Sequence, residues 1–263
     1  MITLEEAQGL LLKETKVNDI EEVNIFNSLG RVLAEDILSP IDSPPFNKSP
    51  LDGYAVIAKS LEGVSKENPR ILKVIDKVFA GEVSCKKVGD GEAIRIMTGA
   101  KIPKGADCIV KQEDTEALNE NEVRIFVSHK AYDNFIYQGE DFKRGIKIIN
   151  KDKFLASSII TAIASLGISK VKVYKKPIVG IITTGDELQE PGEELKEGKI
   201  FNSNKAFLYT RLLELGAEPR IFDIAKDSIE GIVSVVEKAE KECQIIISTG
   251  GVSVGEKDLV LRA

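Results

Sequence analysis

The chain has 263 residues, which is enough for two domains or three small ones, and its 43% hydrophobic and 30% charged residues are typical of a soluble globular protein. Its formal net charge of −6 and its pI near 5.2 argue against a broad nucleic-acid-binding surface. A local anion pocket is compatible with this charge, because backbone N–H groups of glycine-rich loops and helix N-termini also bind anions.

The cysteines and the histidine argue against several classes of site. Cys85, Cys108 and Cys243 are far apart and odd in number, and they contain no CxxC pair, so we expect neither a disulfide framework nor a structural zinc site. We expect all three to be buried and neutral, in a protein of the reducing cytoplasm. His129 is the single histidine, lies in a predicted strand and is expected to be structural, which argues against His-based triads and His-rich metal sites.

No segment indicates a membrane protein or a secreted one. The first residues lack the basic and apolar regions of a signal peptide. The longest weakly polar stretch, residues 154–168, is shorter than the about 20 residues that span a bilayer, and it predicts a core helix.

The first part of the chain combines a helix with a proline-rich segment. Thr3 and Glu6 form a capping box at the start of a helix in residues 1–12. Residues 40–50 contain four prolines, which exclude a regular helix and predict a linker or a rigid crossing segment.

A run of strands follows. From residue 55 to residue 127, apolar runs between glycine and proline turns predict a small β-domain. A helix at 154–166 and a strand at 170–174 come after it. Because helices flank the strands on both sides in sequence, we interpret the β-domain as an insert in one discontinuous domain.

The last third of the chain alternates strands with helices. Apolar runs predict strands at 178–182, 220–224 and 245–247, and the first lacks alternation, as is typical of a strand buried on both faces. Asn202 or Ser203 is expected to cap the helix between the first two strands. This order predicts a parallel, doubly wound sheet. Since the chain ends shortly after the third strand, we expect it to be cut short.

Two strand ends of this predicted sheet carry similar loops, TTGDEL and STGGVSVGEKD. Ligands of open α/β sheets bind outside the carboxyl ends of the strands, so one site between the two loops is predicted. Its carboxylates suit a Mg²⁺-assisted phosphate reaction, because Mg²⁺ prefers oxygen ligands and shares them with substrate phosphates. These carboxylates are Asp186, Glu187, Asp227 and Asp258. Helix capping is the alternative role for each of them, above all for Asp227.

Two motifs of the β-domain have structural as well as functional interpretations. Thr98 follows a strand in RIMTGAKIPKG, which by composition alone fits a surface hairpin. Asp52 in LDGYA fits a turn aspartate that precedes a glycine.

Five segments together resemble the molybdopterin molybdenumtransferase family, called MoeA in bacteria and the E domain of gephyrin in animals. They are SPPFNKSPLDGYAV, RIMTGAKIPKGADCIVKQEDT, GEDFKRG, ITTGDEL and STGGVSVGEKD, in the family's order and from about residue 40 to the end. The first departs from the family at Lys48, Pro50 and Leu51, where Asn or Asp, Ala and Met are common. It keeps the Asp-Gly-Tyr core.

The resemblance implies an α/β plus β fold, in an elongated multi-domain chain with an inserted β-rich domain and a doubly wound parallel α/β domain of the molybdopterin-binding type. The implied domains are a discontinuous linking domain of residues 1–45 and 136–175, the β-rich domain of residues 46–135, and an incomplete α/β domain of residues 176–263. The second half of the α/β part and a final small β-domain, both present in the family, are missing, which agrees with a shortened chain.

The resemblance also implies a reaction. The family inserts molybdenum from molybdate into adenylylated molybdopterin, releases AMP and requires Mg²⁺. Its members form homodimers, and the molybdopterin adenylyltransferase is a further implied partner. Neither a nucleic acid nor a membrane is implied as a partner. Carried over to this chain, the resemblance implies catalytic roles for Asp52, Thr98, Glu187 and Asp258, and Mg²⁺ ligation by Asp186, Glu187 and Asp258. It implies substrate binding by Thr184, Gly185, Asp186, Asp227, Gly250, Gly251, Ser253 and Asp141.

Three other functions are kept as alternatives. A non-catalytic module would bind a pterin or a nucleotide without turnover. A gephyrin-like scaffold is a second alternative, although no tail, linker or interaction motif supports it. Another kind of nucleotide hydrolase fits the carboxylates but not the motifs of the β-domain.

Overall fold

Helices and strands follow the predicted order, with several short strands in addition. The computed structural model describes residues 2–222, 228–250 and 259–260. The helices are α1 (Leu4–Glu14), α2 (Ser157–Ser165), α3 (Ser203–Glu214) and α4 (Ile229–Glu240). The strands are β1 (Ile20–Asn24), β2 (Ile37–Leu38), β3 (Gly53–Val56), β4 (Arg70–Val78), β5 (Glu92–Ile96), β6 (Cys108–Lys111), β7 (Thr115–Asn119), β8 (Glu122–Ile125), β9 (Lys147–Ile149), β10 (Lys170–Tyr174), β11 (Ile178–Thr183), β12 (Leu188–Gln189), β13 (Ile200–Phe201), β14 (Glu218–Ile221) and β15 (Ile245–Thr249).

The chain divides into two compact units, which we call the inserted unit (residues 37–149) and the outer unit (residues 1–36 and 150–263). The inserted unit contains a six-stranded sheet in the order β6-β3-β5-β4-β8-β7. Its β4–β5 pair is parallel and its other pairs are antiparallel. Successive side chains of a strand point to opposite faces, and Tyr54 and Ala55 accordingly belong to two different apolar clusters. The central strands are therefore buried on both sides.

The outer unit contains a parallel sheet in the order β14-β11-β15. Val179 and Ile181 of β11 pack with Leu212 of α3, whereas Ile182 packs with Ile232 of α4. Because neighbouring residues of one strand contact different helices, the sheet is covered on both faces. The predicted parallel, doubly wound arrangement is confirmed.

Two local predictions at helices had different outcomes. The capping box is present, since Thr3 Oγ1 accepts the Glu6 N–H at 3.2 Å and Glu6 Oε2 accepts the Thr3 N–H at 2.8 Å. The helix predicted for residues 154–166 begins three residues later, at Ser157, and only Ile163 within it is buried. Across the described ranges, no helix has both the length and the apolar character needed to cross a membrane.

The predicted burial was wrong for Cys85 and for Cys243, which is half-buried, and the strand predicted at His129 was wrong as well. Cys85 is exposed, in the loop between β4 and β5, whereas Cys108 is buried, and burial raises the pKa of its thiol to about 12. His129 lies after the end of β8. There the Asp133 carboxylate accepts the Lys130 N–H at 2.9 Å and lies 3.3 Å from His129 Nδ1. The hydrogen bond from the Lys130 N–H is the main reason that the pKa of Asp133 is lowered, and the contact with His129 adds to the effect.

Candidate functional site

The two predicted strand-end loops meet at the carboxyl edge of the parallel sheet. Thr183 lies opposite Thr249 in the β11–β15 pairing. Thr184 donates to the Thr249 carbonyl through its N–H at 3.0 Å and through its hydroxyl at 3.2 Å. Gly250 has a φ of +88°, and a Cβ there would lie 2.7 Å from the Thr184 carbonyl oxygen. The contact between the loops therefore requires glycine at position 250.

Two carboxylates follow β11 at this edge. Asp186 and Glu187 are both exposed. The Glu187 carboxylate lies close to buried Gly185, since a Cβ on Gly185 would be 2.6 Å from each of its oxygens. Lys199 donates through its ammonium to the Asp186 carbonyl. The edge thus presents two negative side chains and one cation.

Asn202 connects this edge to α3. It is 1% exposed, and its Nδ2 donates to Thr183 Oγ1 at 2.8 Å. Its Oδ1 accepts the Lys205 N–H at 3.2 Å, which makes Asn202 the N-cap of α3. The prediction of Asn202 or Ser203 as the cap is thereby resolved in favour of Asn202. One buried side chain fixes the start of the helix relative to the end of the strand.

Four predicted site residues lie outside the described residues: Asp227, Gly251, Ser253 and Asp258. Within the described ranges, no three His, Cys, Asp or Glu side chains are grouped in a way that could hold a metal ion. The described part of the sheet edge therefore supplies Thr184, Gly185, Asp186, Glu187 and Gly250.

Asp52 and Thr98 meet in the inserted unit. Asp52 Oδ1 accepts two hydrogen bonds from Thr98, one from the N–H and one from the hydroxyl, both at 2.7 Å. The Thr98 N–H is the main reason that the pKa of Asp52 lies below its ordinary value, followed by the Thr98 hydroxyl, and the Arg95 charge adds to the effect. Asp52 is exposed. It therefore presents an ionised carboxylate whose one oxygen is held in place.

Asp141 lies on another loop of the inserted unit. Its N–H donates to the Ser43 carbonyl at 2.9 Å, and its Oδ2 lies 3.5 Å from Ser43 Oγ. Asp42 accepts from the Gln138 side chain at 2.8 Å and from the Arg144 N–H at 2.9 Å. The loop is thus attached to residues 42–44, and Asp141 is exposed on it.

Sequence reasoning missed the roles of two residues at the sheet edge. An asparagine before a helical pattern signals a cap, but nothing in the pattern indicates that Asn202 also donates to Thr183. Lys199 lies in a polar stretch of the sequence, LKEGK, and no motif marks it. Both contacts depend on how the loop after β12 returns to the strand end.

Family models match nearly the whole chain. Residues 2–167 match the MoeA N-terminal region (domain I and II), and residues 180–263 match a probable molybdopterin binding domain.

Similar proteins of known name are longer than the chain. A molybdopterin molybdenumtransferase of Staphylococcus epidermidis is 41% identical over 258 residues, and one of Bacillus subtilis is 39% identical over 263 residues. Each alignment covers 98% of this chain and 61% of the relative. A crystal structure of the molybdopterin biosynthesis MoeA protein from Pyrococcus horikoshii has a TM-score of 0.86 and 37% identity, and the match covers all of this chain and 66% of that one. The chain therefore spans about three fifths of the length of these curated relatives.

Proposed function

Because the chain belongs to the MoeA family of molybdopterin molybdenumtransferases, we propose that it takes part in the insertion of molybdenum into adenylylated molybdopterin, with release of AMP. The relatives are longer than the chain, so the proposal concerns the groups that this chain contributes. These groups lie at the sheet edge of the outer unit and at the Asp52–Thr98 pair of the inserted unit.

The observation that carries the proposal is the contact between the two strand-end loops. Thr184 and Gly250 are in contact at the edge where α/β sheets bind ligands. We assign substrate binding to Thr184, Gly185, Asp186 and Gly250, and, outside the described residues, to Asp227, Gly251 and Ser253.

Cleavage of the phosphoanhydride depends on positioning and on neutralised charge more than on a strong nucleophile. The chain has a single histidine, which lies in the inserted unit, so the reactive groups that we propose are carboxylates. We assign Glu187 and Asp258 to positioning of the pyrophosphate, Asp52 and Thr98 to catalysis, and Asp141 to substrate binding.

The carboxylates after β11 also suit Mg²⁺. Asp186 and Glu187 are adjacent, exposed and offer hard oxygen ligands, and Mg²⁺ usually takes one or two protein carboxylates together with waters and substrate phosphates. Together with Asp258 they would hold the ion. Bound Mg²⁺ would supply positive charge beside the phosphates.

The exposed face of α1 supports a homodimer. Leu4, Leu11 and Leu12 are each at least 70% exposed, and no residue of α1 is buried. An apolar helix face of this kind is typical of an interface between chains. Light scattering on the purified protein tests this part of the proposal, and a concentration-independent monomer would contradict it.

A non-catalytic binding module is the second candidate, because the chain spans only part of its relatives. One experiment separates the two. Titration calorimetry measures the binding of adenylylated molybdopterin, and AMP release with molybdate and Mg²⁺ measures turnover. The enzyme proposal predicts both, and it predicts that Glu187→Ala abolishes AMP release while ligand still binds. Binding without AMP release by the unmodified protein would favour the module, and unchanged turnover of the variant would exclude the assigned role of Glu187.

A further inference from the structure

Arg95 joins three sequence motifs of the inserted unit at one point. In the β3–β5 pairing it lies directly opposite Tyr54, and its guanidinium carbon is 4.8 Å from the centroid of the Tyr54 ring. Its Nη2 donates a hydrogen bond to Oε1 of Gln112, the first residue after β6. Tyr54 belongs to LDGYA, Arg95 to RIMTG and Gln112 to IVKQED, so contacts of one side chain connect three distant segments.

The same strand ends hold Asp52. Its Oδ1 receives both hydrogen bonds of Thr98, and its carbonyl accepts the Gln112 N–H at 3.0 Å. Gln112 is therefore bonded to Asp52 through its main chain and to Arg95 through its side chain. The positive charge of Arg95 also favours the ionised form of Asp52.

We propose that Arg95 is a positioning residue for Asp52 and Thr98. It holds the ends of β3, β5 and β6 together through its contacts with the Tyr54 ring and the Gln112 side chain. The proposal rests on the function proposed above, in which Asp52 and Thr98 act in the insertion reaction. Arginine suits this role because its planar group stacks on an aromatic ring, donates several hydrogen bonds in fixed directions and remains charged.

The surroundings of Arg95 do not favour direct binding of a substrate phosphate. Arg95 and Lys77 line a groove of about 470 Å³, but Asp76 and Glu120 line the same groove, so its two positive charges are offset by two negative ones. The guanidinium is moreover already engaged by Gln112 and by the Tyr54 ring.

The test combines an activity measurement with a measurement that needs no activity. The variants are Arg95→Gln, Arg95→Lys and Gln112→Ala. Arg124→Gln is the matched control, because Arg124 lies in the same sheet and pairs with Glu116, away from Asp52. Carbon-13 NMR follows the titration of the Asp52 carboxyl, and AMP release gives kcat and KM.

We expect Arg95→Gln to raise the pKa of Asp52 and to lower kcat by about 10- to 100-fold with a smaller change in KM, because misplaced catalytic groups reduce the rate of the bound complex. Arg95→Lys keeps the positive charge but not the planar guanidinium, so it should retain the lowered pKa of Asp52 and still lose part of kcat. Gln112→Ala should reduce kcat without changing the pKa of Asp52. Arg124→Gln should change neither quantity.

Each outcome decides the proposal. An unchanged Asp52 titration in Arg95→Gln refutes the electrostatic part, and an unchanged kcat in all three variants refutes the positioning role. If Arg95→Gln fails to fold, Gln112→Ala carries the test, because Gln112 is exposed. If the unmodified protein releases no AMP, the proposed function fails and with it the role of Arg95 in that reaction, whereas the NMR titration still decides whether Arg95 and Asp52 are coupled.

Discussion

Asn202→Ala removes two contacts at once, and the structure allows each to be assigned a magnitude. The N-cap hydrogen bond to the Lys205 N–H contributes about 1 kcal/mol to stability. The hydrogen bond to Thr183 Oγ1 is buried, since both residues are 1% exposed, and an unsatisfied buried polar group costs about 1–3 kcal/mol. The expected loss in the free energy of unfolding is therefore about 2–4 kcal/mol.

Native-state hydrogen exchange of peptides from β11 and α3 measures this loss. Ser228→Ala is the matched control, because Ser228 caps α4 through one hydrogen bond to the Gly231 N–H at 3.1 Å, so only the capping contribution of about 1 kcal/mol is removed. Asn202→Asp retains an acceptor for the cap and should lose less than Asn202→Ala. The reasoning is refuted if Asn202→Ala costs no more than Ser228→Ala, because the bond to the strand would then contribute nothing.

Three further predictions concern the loops, the cysteines and acid stability. Gly250→Ala should lower the melting temperature more than Gly198→Ala, since both have positive φ but only the first would meet other atoms, and equal shifts would contradict the contact between the loops. Iodoacetamide at pH 8 should label Cys85 in the folded protein and Cys108 only after denaturation; mass spectrometry of labelled peptides checks this. The pKa of Asp133 is lowered in the folded protein, so its contribution to stability is complete above its ordinary pKa of 3.8 and is lost as the pH falls below that value. Urea midpoints measured between pH 6 and pH 3 should therefore fall less steeply in Asp133→Asn than in the unmodified protein.

The outer unit could be predicted closely because its signals are local. An unbroken apolar run predicted β11, and the two strand-end motifs predicted loops that do meet. The capping box at Thr3 and the cap at Asn202 each depend on side chains within three residues of the N–H that they bind. Such signals do not depend on contacts with distant parts of the chain.

Other features depend on partners that are distant in sequence. Strand β1 reads Ile-Glu-Glu-Val-Asn, and β10 pairs with it only after a long intervening chain, so the pairing could not be predicted from the pattern. Strand β7 is mostly exposed and lacks a buried face, which is why β-patterning did not mark it. The contacts of Arg95 likewise follow from the β3–β5 register, which the sequence does not state. The role of Arg95 therefore became visible only in three dimensions.

The pairing of Ile20 with Tyr174 in β1 and β10 has a consequence for folding during synthesis. Residues 37–149 form a unit with their own apolar clusters, so this unit can complete its core once Ile149 has left the ribosome. Strand β1 is made first but has no partner until Tyr174 emerges. Closing so long a loop is slow compared with local pairing. During that interval the unpaired edge of β1 is accessible to chaperones and to other nascent chains.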